Sequence, residues 1–89
     1  MLFDLGSVHC DYADGVSEVN STVGLDREET MQIVYLSGLC PAVVGFEINE
    51  YNPAVEKFRT GTLVAQMFYE LLMGIGSRID KNTIQKTIN

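Results

Sequence analysis

Between Ala42 and Ile48 the chain reads Ala-Val-Val-Gly-Phe-Glu-Ile, an almost unbroken apolar run. It lacks the alternation of a half-exposed strand, and so predicts a strand buried on both faces of a parallel sheet. A second short apolar run, Met1-Leu2-Phe3-Asp4-Leu5, opens the chain and reads the same way. A domain rarely opens inside a strand, which implies more sheet upstream. Between the two runs lies one helix with clear punctuation. Asp26 is placed as N-cap with Glu29 three residues on, a capping-box pattern, and Glu28 suits the positive end of the helix dipole. Met31, Val34 and Tyr35 form its apolar face, and Gly38 with Pro41 is expected to stop it. After the break at Asn52-Pro53, a second helix is expected from about Thr60 to Ile75. There Leu63, Val64, Met67, Phe68, Leu71, Leu72 and Ile75 recur at the helical interval.

The order strand, loop, helix, strand, loop, helix makes the chain α/β, a βαβα piece of a three-layer parallel sheet. The expected division is a body over residues 1–76 and a polar, frayed or loosely helical tail over 77–89. At 89 residues there is room for one domain or part of one. Two parallel strands make a very small sheet, and two helices are too few to cover both of its faces. The pattern describes part of a larger sheet.

Composition narrows the partners. A hydrophobic share of 46% is ordinary for a globular chain, while a net charge of -6 argues against a nucleic acid or an anionic membrane. The stretch from Leu63 to Ile75 is too short to span a bilayer and holds Gln66 and Glu70. No signal peptide is visible, so the expected location is the cytoplasm. Cys10 and Cys40 form no CxxC or zinc spacing and read as buried or half-buried free thiols.

Ligands of open parallel sheets bind beyond the carboxyl ends of the strands. Asp4 and His9 follow the first strand, and Glu47 and Glu50 follow the second. Convergent carboxylates at such an edge suit a hard divalent cation, or a cationic guanidinium or amidinium. Solvated carboxylates and a loop histidine making ordinary hydrogen bonds are the plainer reading of the same residues.

Several stretches sharpen this: Phe3-Asp4-Leu5-Gly6-Ser7-Val8-His9, Ala13-Asp14-Gly15, Gly24-Leu25-Asp26-Arg27-Glu28-Glu29, and Phe46-Glu47-Ile48-Asn49-Glu50-Tyr51-Asn52-Pro53. In order and spacing they resemble the carboxyl-terminal portion of the ureohydrolase family (arginase, agmatinase, formimidoylglutamase). The family strand ends F-D-[LIV]-D-x-[VIL]-D, followed by A-P-G, then G-[LM]-[TS]-x-x-E, and finally D-x-x-E-x-N-P. Glu50-Tyr51-Asn52-Pro53 with Phe58-Arg59-Thr60-Gly61 looks most like the formimidoylglutamase branch.

The resemblance implies an arginase-like fold and a manganese-dependent hydrolase of linear amidines. The substrate would be a small amidine or guanidine: formimidoylglutamate in histidine degradation, or agmatine or arginine as the alternative. It implies Asp4 as a metal ligand and Glu50 as the carboxylate facing the substrate's amidine. His9 stands where the family has its third acidic residue and is a second candidate ligand through its imidazole. It also exposes departures. Gly6 stands where the family has its second aspartate, Asp14 replaces the proline of A-P-G, and Glu47 replaces an aspartate. The upstream G-G-D-H and D-A-H-x-D motifs are absent, so no residue of this chain is assigned a catalytic role and turnover by the chain alone is not expected. A homo-oligomer, or docking as a non-catalytic module onto a full-length relative, is the remaining expectation.

Overall fold

The capping box at Asp26 forms as the sequence requires. Its carboxylate accepts the Glu29 N–H at 2.8 Å, and the Glu29 carboxylate accepts the Asp26 N–H at 3.1 Å. Two otherwise orphaned donors at the head of the helix are thereby satisfied. The computed structural model describes residues 1–9, 12, 13, 15 and 24–88, with side chains up to Lys81. The elements are β1 (Leu2–Asp4), a 3₁₀ turn (Leu5–Ser7), α1 (Arg27–Leu39), β2 (Glu47–Asn49) and α2 (Phe58–Ile88).

The two strands pair in parallel, with Leu2 opposite Glu47, Phe3 opposite Ile48 and Asp4 opposite Asn49. The architecture is the expected βαβα, with a two-stranded sheet and two helices. The strands are shorter than the apolar runs suggest. A ladder with β1 can hold only residues that face Leu2–Asp4, so Ala42 to Phe46 stay outside the sheet and Val44 is 98% exposed. Phe46 is kept by its ring instead, stacked on Phe3 at 6.5 Å between centroids.

Phe3, Leu5, Val8, Ala13, Val34, Leu63 and Met67 form the buried core, drawn from both helices and from the segment around β1. Beyond β1 the chain stays clamped to the approach of α1. The Leu25 N–H donates to the Ser7 carbonyl and the His9 N–H to the Leu25 carbonyl, both at 3.0 Å.

Gly38 does not end α1. It lies inside the helix, fully buried against α2, with Cys40 as the C-cap. A Cβ on Gly38 would come within 2.4 Å of the Leu71 carbonyl oxygen, and one on Gly74 within 2.2 Å of the Tyr35 carbonyl oxygen. The two glycines face each other and let the helix backbones touch. Tyr35 and Ser77 join hydroxyls at 2.9 Å beside this crossing. Helix α2 continues without a break past Ile75 to Ile88.

Cys40 is exposed, not buried as expected, because it caps α1 at the surface. Cys10 lies outside the described residues. Among the described residues, no helix is long and apolar enough to cross a membrane.

Candidate functional site

The parallel register decides what shares an edge. Asp4 ends β1 beside Asn49, the last residue of β2, and Glu50 follows at once. Asp4 and Glu50 therefore leave the sheet at the same, carboxyl, end. Glu47 does not join them, since it opens β2 opposite Leu2 and is exposed there.

Asp4 is exposed and already has a local task. Its Oδ1 accepts the Gly6 N–H at 2.7 Å and its carbonyl accepts the Ser7 hydroxyl at 2.7 Å, so it caps the 3₁₀ turn. This is the usual behaviour of an aspartate that competes for nearby backbone donors. His9 is half-buried with its ring edge-on to Tyr12, centroids 6.2 Å apart. Its carbonyl accepts the Tyr12 and Ala13 N–H groups at 2.9 and 3.2 Å and so turns the chain towards Gly15. Asp14 lies outside the described residues.

Glu50 is half-buried and has φ 72°, in the left-handed region. For a residue other than glycine, such a conformation costs on the order of 1–3 kcal/mol and persists only where surroundings impose it. Here the surroundings are explicit. The Asn52 N–H donates to the Gly15 carbonyl at 2.7 Å, and the Tyr51 hydroxyl donates to the Lys57 carbonyl at 2.9 Å.

Two more residues lie at this edge: Glu56, and Thr60, which stands in the sequence only as part of Phe58-Arg59-Thr60-Gly61. Thr60 is fully buried in the first turn of α2, and its hydroxyl accepts the Gly15 N–H and donates to Glu56 Oε1, both at 2.7 Å. Glu56 also accepts the N–H groups of Arg59 and Thr60 at 2.7 Å, capping α2. The Thr60 hydroxyl first, then these N–H groups and the Arg59 charge, lower its pKa from 4.5 to about 2, against an opposing push from burial. A carboxylate placed just before an apolar helix was the available signal. The partner at Gly15 was not, because the contact spans 45 positions.

No protein-family model matches the chain, and no curated protein matches it. Among solved structures it superposes on Trypanosoma cruzi formiminoglutamase with a TM-score of 0.84, at 32% identity over 88% of this chain. The chain matches a segment of the ureohydrolase family. The fold alone is shared with Bacillus subtilis formimidoylglutamase (TM-score 0.77, 24% identity over 84% of this chain). It is shared likewise with Entamoeba histolytica arginase (TM-score 0.75, 22% identity over 80% of this chain). The chain spans about a quarter of these proteins: 27%, 24% and 24% of their lengths respectively.

The Trypanosoma cruzi structure is one with Mn2+2. The described residues of this chain do not fit such a centre. No three His, Cys, Asp or Glu side chains among them gather to hold an ion. Gly6, next but one to Asp4, offers no donor, and Asp4 is partly committed to the Gly6 N–H. Two manganese ions need several fixed oxygen and nitrogen ligands.

Proposed function

We propose that this chain carries the amidine-facing edge of a hydrolase of linear amidines, nearest in kind to formimidoylglutamase, and that it turns over no substrate by itself. The observation that supports this is the parallel register, which brings Asp4 and Glu50 out at one end of the sheet. In this reading Glu50 accepts two parallel hydrogen bonds from the planar N–C–N fork of the substrate. Asp4 and His9 belong to a metal-binding loop that, among the described residues, gathers too few donors to hold two ions.

Two experiments test it. The purified chain, given N-formimidoyl-L-glutamate, agmatine or arginine with added manganese, is expected to release no formamide or urea. Metal-dependent turnover that Asp4→Ala abolishes would overturn the second half of the proposal. For the first half, residues 2–75 with Gly6→Asp are transplanted into the matching segment of Trypanosoma cruzi formiminoglutamase. Glu50→Gln in that hybrid should lower kcat/KM for N-formimidoyl-L-glutamate by about 100-fold, the scale of a lost charge-paired hydrogen bond. Unchanged kinetics would remove Glu50 from substrate recognition. A preference for arginine or agmatine would move the specificity to those branches.

A second, non-catalytic reading draws on exposed apolar side chains along α2, among them Phe58 (81%) and Leu72 (65%). A module docking on a full-length relative would co-purify with a protein of ureohydrolase size, whereas the first reading expects the chain to purify alone.

A further inference from the structure

The turn at Glu50 lies in a hydrogen-bonded network that runs through one buried hydroxyl. Thr60 has no solvent exposure, and its Oγ1 is shared between two partners that come from different segments. One is the Gly15 N–H, in the loop that follows β1. The other is Glu56 Oε1, just after the turn that follows β2. Gly15 in turn receives the Asn52 N–H on its carbonyl at 2.7 Å, two residues beyond Glu50. The approach is tight enough to exclude any side chain, since a Cβ on Gly15 would lie 2.0 Å from the Glu56 carbonyl oxygen.

Loop, turn and helix start are therefore joined by one continuous chain of hydrogen bonds: Asn52 to Gly15, Gly15 to Thr60, and Thr60 to Glu56. Two of the three links are made through Gly15, and the Thr60 hydroxyl is the acceptor that its N–H meets. If the hydroxyl is removed, the Gly15 N–H is left buried without an acceptor, and the simplest relief is for the loop to lift away. Asn52 would then lose its own acceptor, and the turn would lose one of the restraints that keep Glu50 at positive φ.

We propose that Thr60 is a positioning residue for Glu50. Its hydroxyl latches the loop after β1 onto the turn after β2, which holds the Glu50 carboxylate in a fixed relation to the Asp4 side of the edge. This rests on reading Glu50 as the substrate-facing carboxylate. The latch acts through backbone geometry alone and Thr60 touches no substrate.

The test uses the full 89-residue chain and amide hydrogen exchange followed by NMR. In Thr60→Val, which keeps the shape and loses the hydroxyl, the Gly15 and Asn52 amides should exchange about 10-fold faster, as expected when a buried donor loses its acceptor. The amides of Val34 and Met67 should stay within about 2-fold of the parent, since they lie in the shared core. The intraresidue amide–Hα Overhauser effect of Glu50, strong at positive φ, should weaken in the same variant. Thr60→Ser should restore all three signals. An equal rise in exchange across the core would reduce Thr60 to a packing residue, and unchanged exchange at Gly15 would remove the latch.

If Thr60→Val does not fold, Glu56→Gln serves in its place. It keeps the hydroxyl but weakens its acceptor, and should speed Gly15 exchange without changing Val34. No response at Gly15 would overturn the proposal. Because no amidine enters this experiment, its failure leaves the hybrid-enzyme test of Glu50 untouched. Conversely, a silent Glu50→Gln in the hybrid would sink the substrate reading while leaving the latch in place.

Discussion

At the scale of single residues, Glu56 shows how strongly a helix start can hold a proton away. Three donors converge on its carboxylate, the Thr60 hydroxyl and the N–H groups of Arg59 and Thr60, and its pKa falls from 4.5 to about 2. The unfolded carboxyl therefore binds a proton more readily than the folded one. Stability from this group is fully present above about pH 4.5 and is lost as the pH falls towards 2. Urea midpoints measured between pH 5 and 2.5 should drop more steeply in the parent than in Glu56→Gln, which has no proton to take up. Parallel pH profiles for the two proteins would show that these donors do not hold the carboxylate in solution. The same residues mark where sequence reading stops. That Asp4 and Glu50 leave the sheet at one end was legible, because strand order and a parallel crossover place both there. Thr60 was not, because its meaning depends on Gly15, which only folding brings near.

At the scale of elements, the start of α1 was legible to the residue and the course of α2 was not. The Asp26–Glu29 capping box is a local pattern, complete within four positions, so propensity and structure agree. Asp26→Ala should cost about 1 kcal/mol, measured by urea denaturation, as N-cap replacements typically do. Gly38 reads as a helix stop because local rules treat glycine as a terminator, yet it lies inside α1. Its reason is tertiary: Gly74 on α2 needs the same space. This gives a paired prediction within one helix. Gly74→Ala should destabilise by about 1–3 kcal/mol, since the added methyl meets the Tyr35 carbonyl and the helices must part to admit it. Gly76→Ala, two residues on with nothing within 4 Å of its Cβ, should instead stabilise by up to about 1 kcal/mol through helix propensity. Equal effects of the two changes would mean that the backbones do not touch at Gly74. The long apolar run before β2 was overread for a related reason. Its composition suits a central strand, but β1 offers only three residues to pair with, so Val44 stands in solvent.

At the scale of the whole molecule, the fold brings Asp4 and Glu50 to one sheet edge, and no three His, Cys, Asp or Glu side chains gather there among the described residues. The second family carboxylate is the one most plainly replaced, which makes Gly6→Asp the natural attempt at repair. A Cβ at residue 6 would lie 3.0 Å from Asp4 Oδ1, and this oxygen already accepts the Gly6 N–H. The new carboxylate would therefore arrive beside an existing one, and two like charges at such a distance repel unless a cation lies between them. A divalent ion would be drawn to that pair, but two carboxylates and a loop imidazole fall short of the ligand number two manganese ions require. Gly6→Asp is thus expected to raise manganese retention after dialysis at most weakly, and to leave hydrolysis of N-formimidoyl-L-glutamate, agmatine and arginine at the uncatalysed rate. The measurements are metal content by mass spectrometry and product release with excess manganese. Turnover restored by that single change would mean that the chain gathers a further ligand set of its own, and the proposal that it is inactive alone would have to be abandoned.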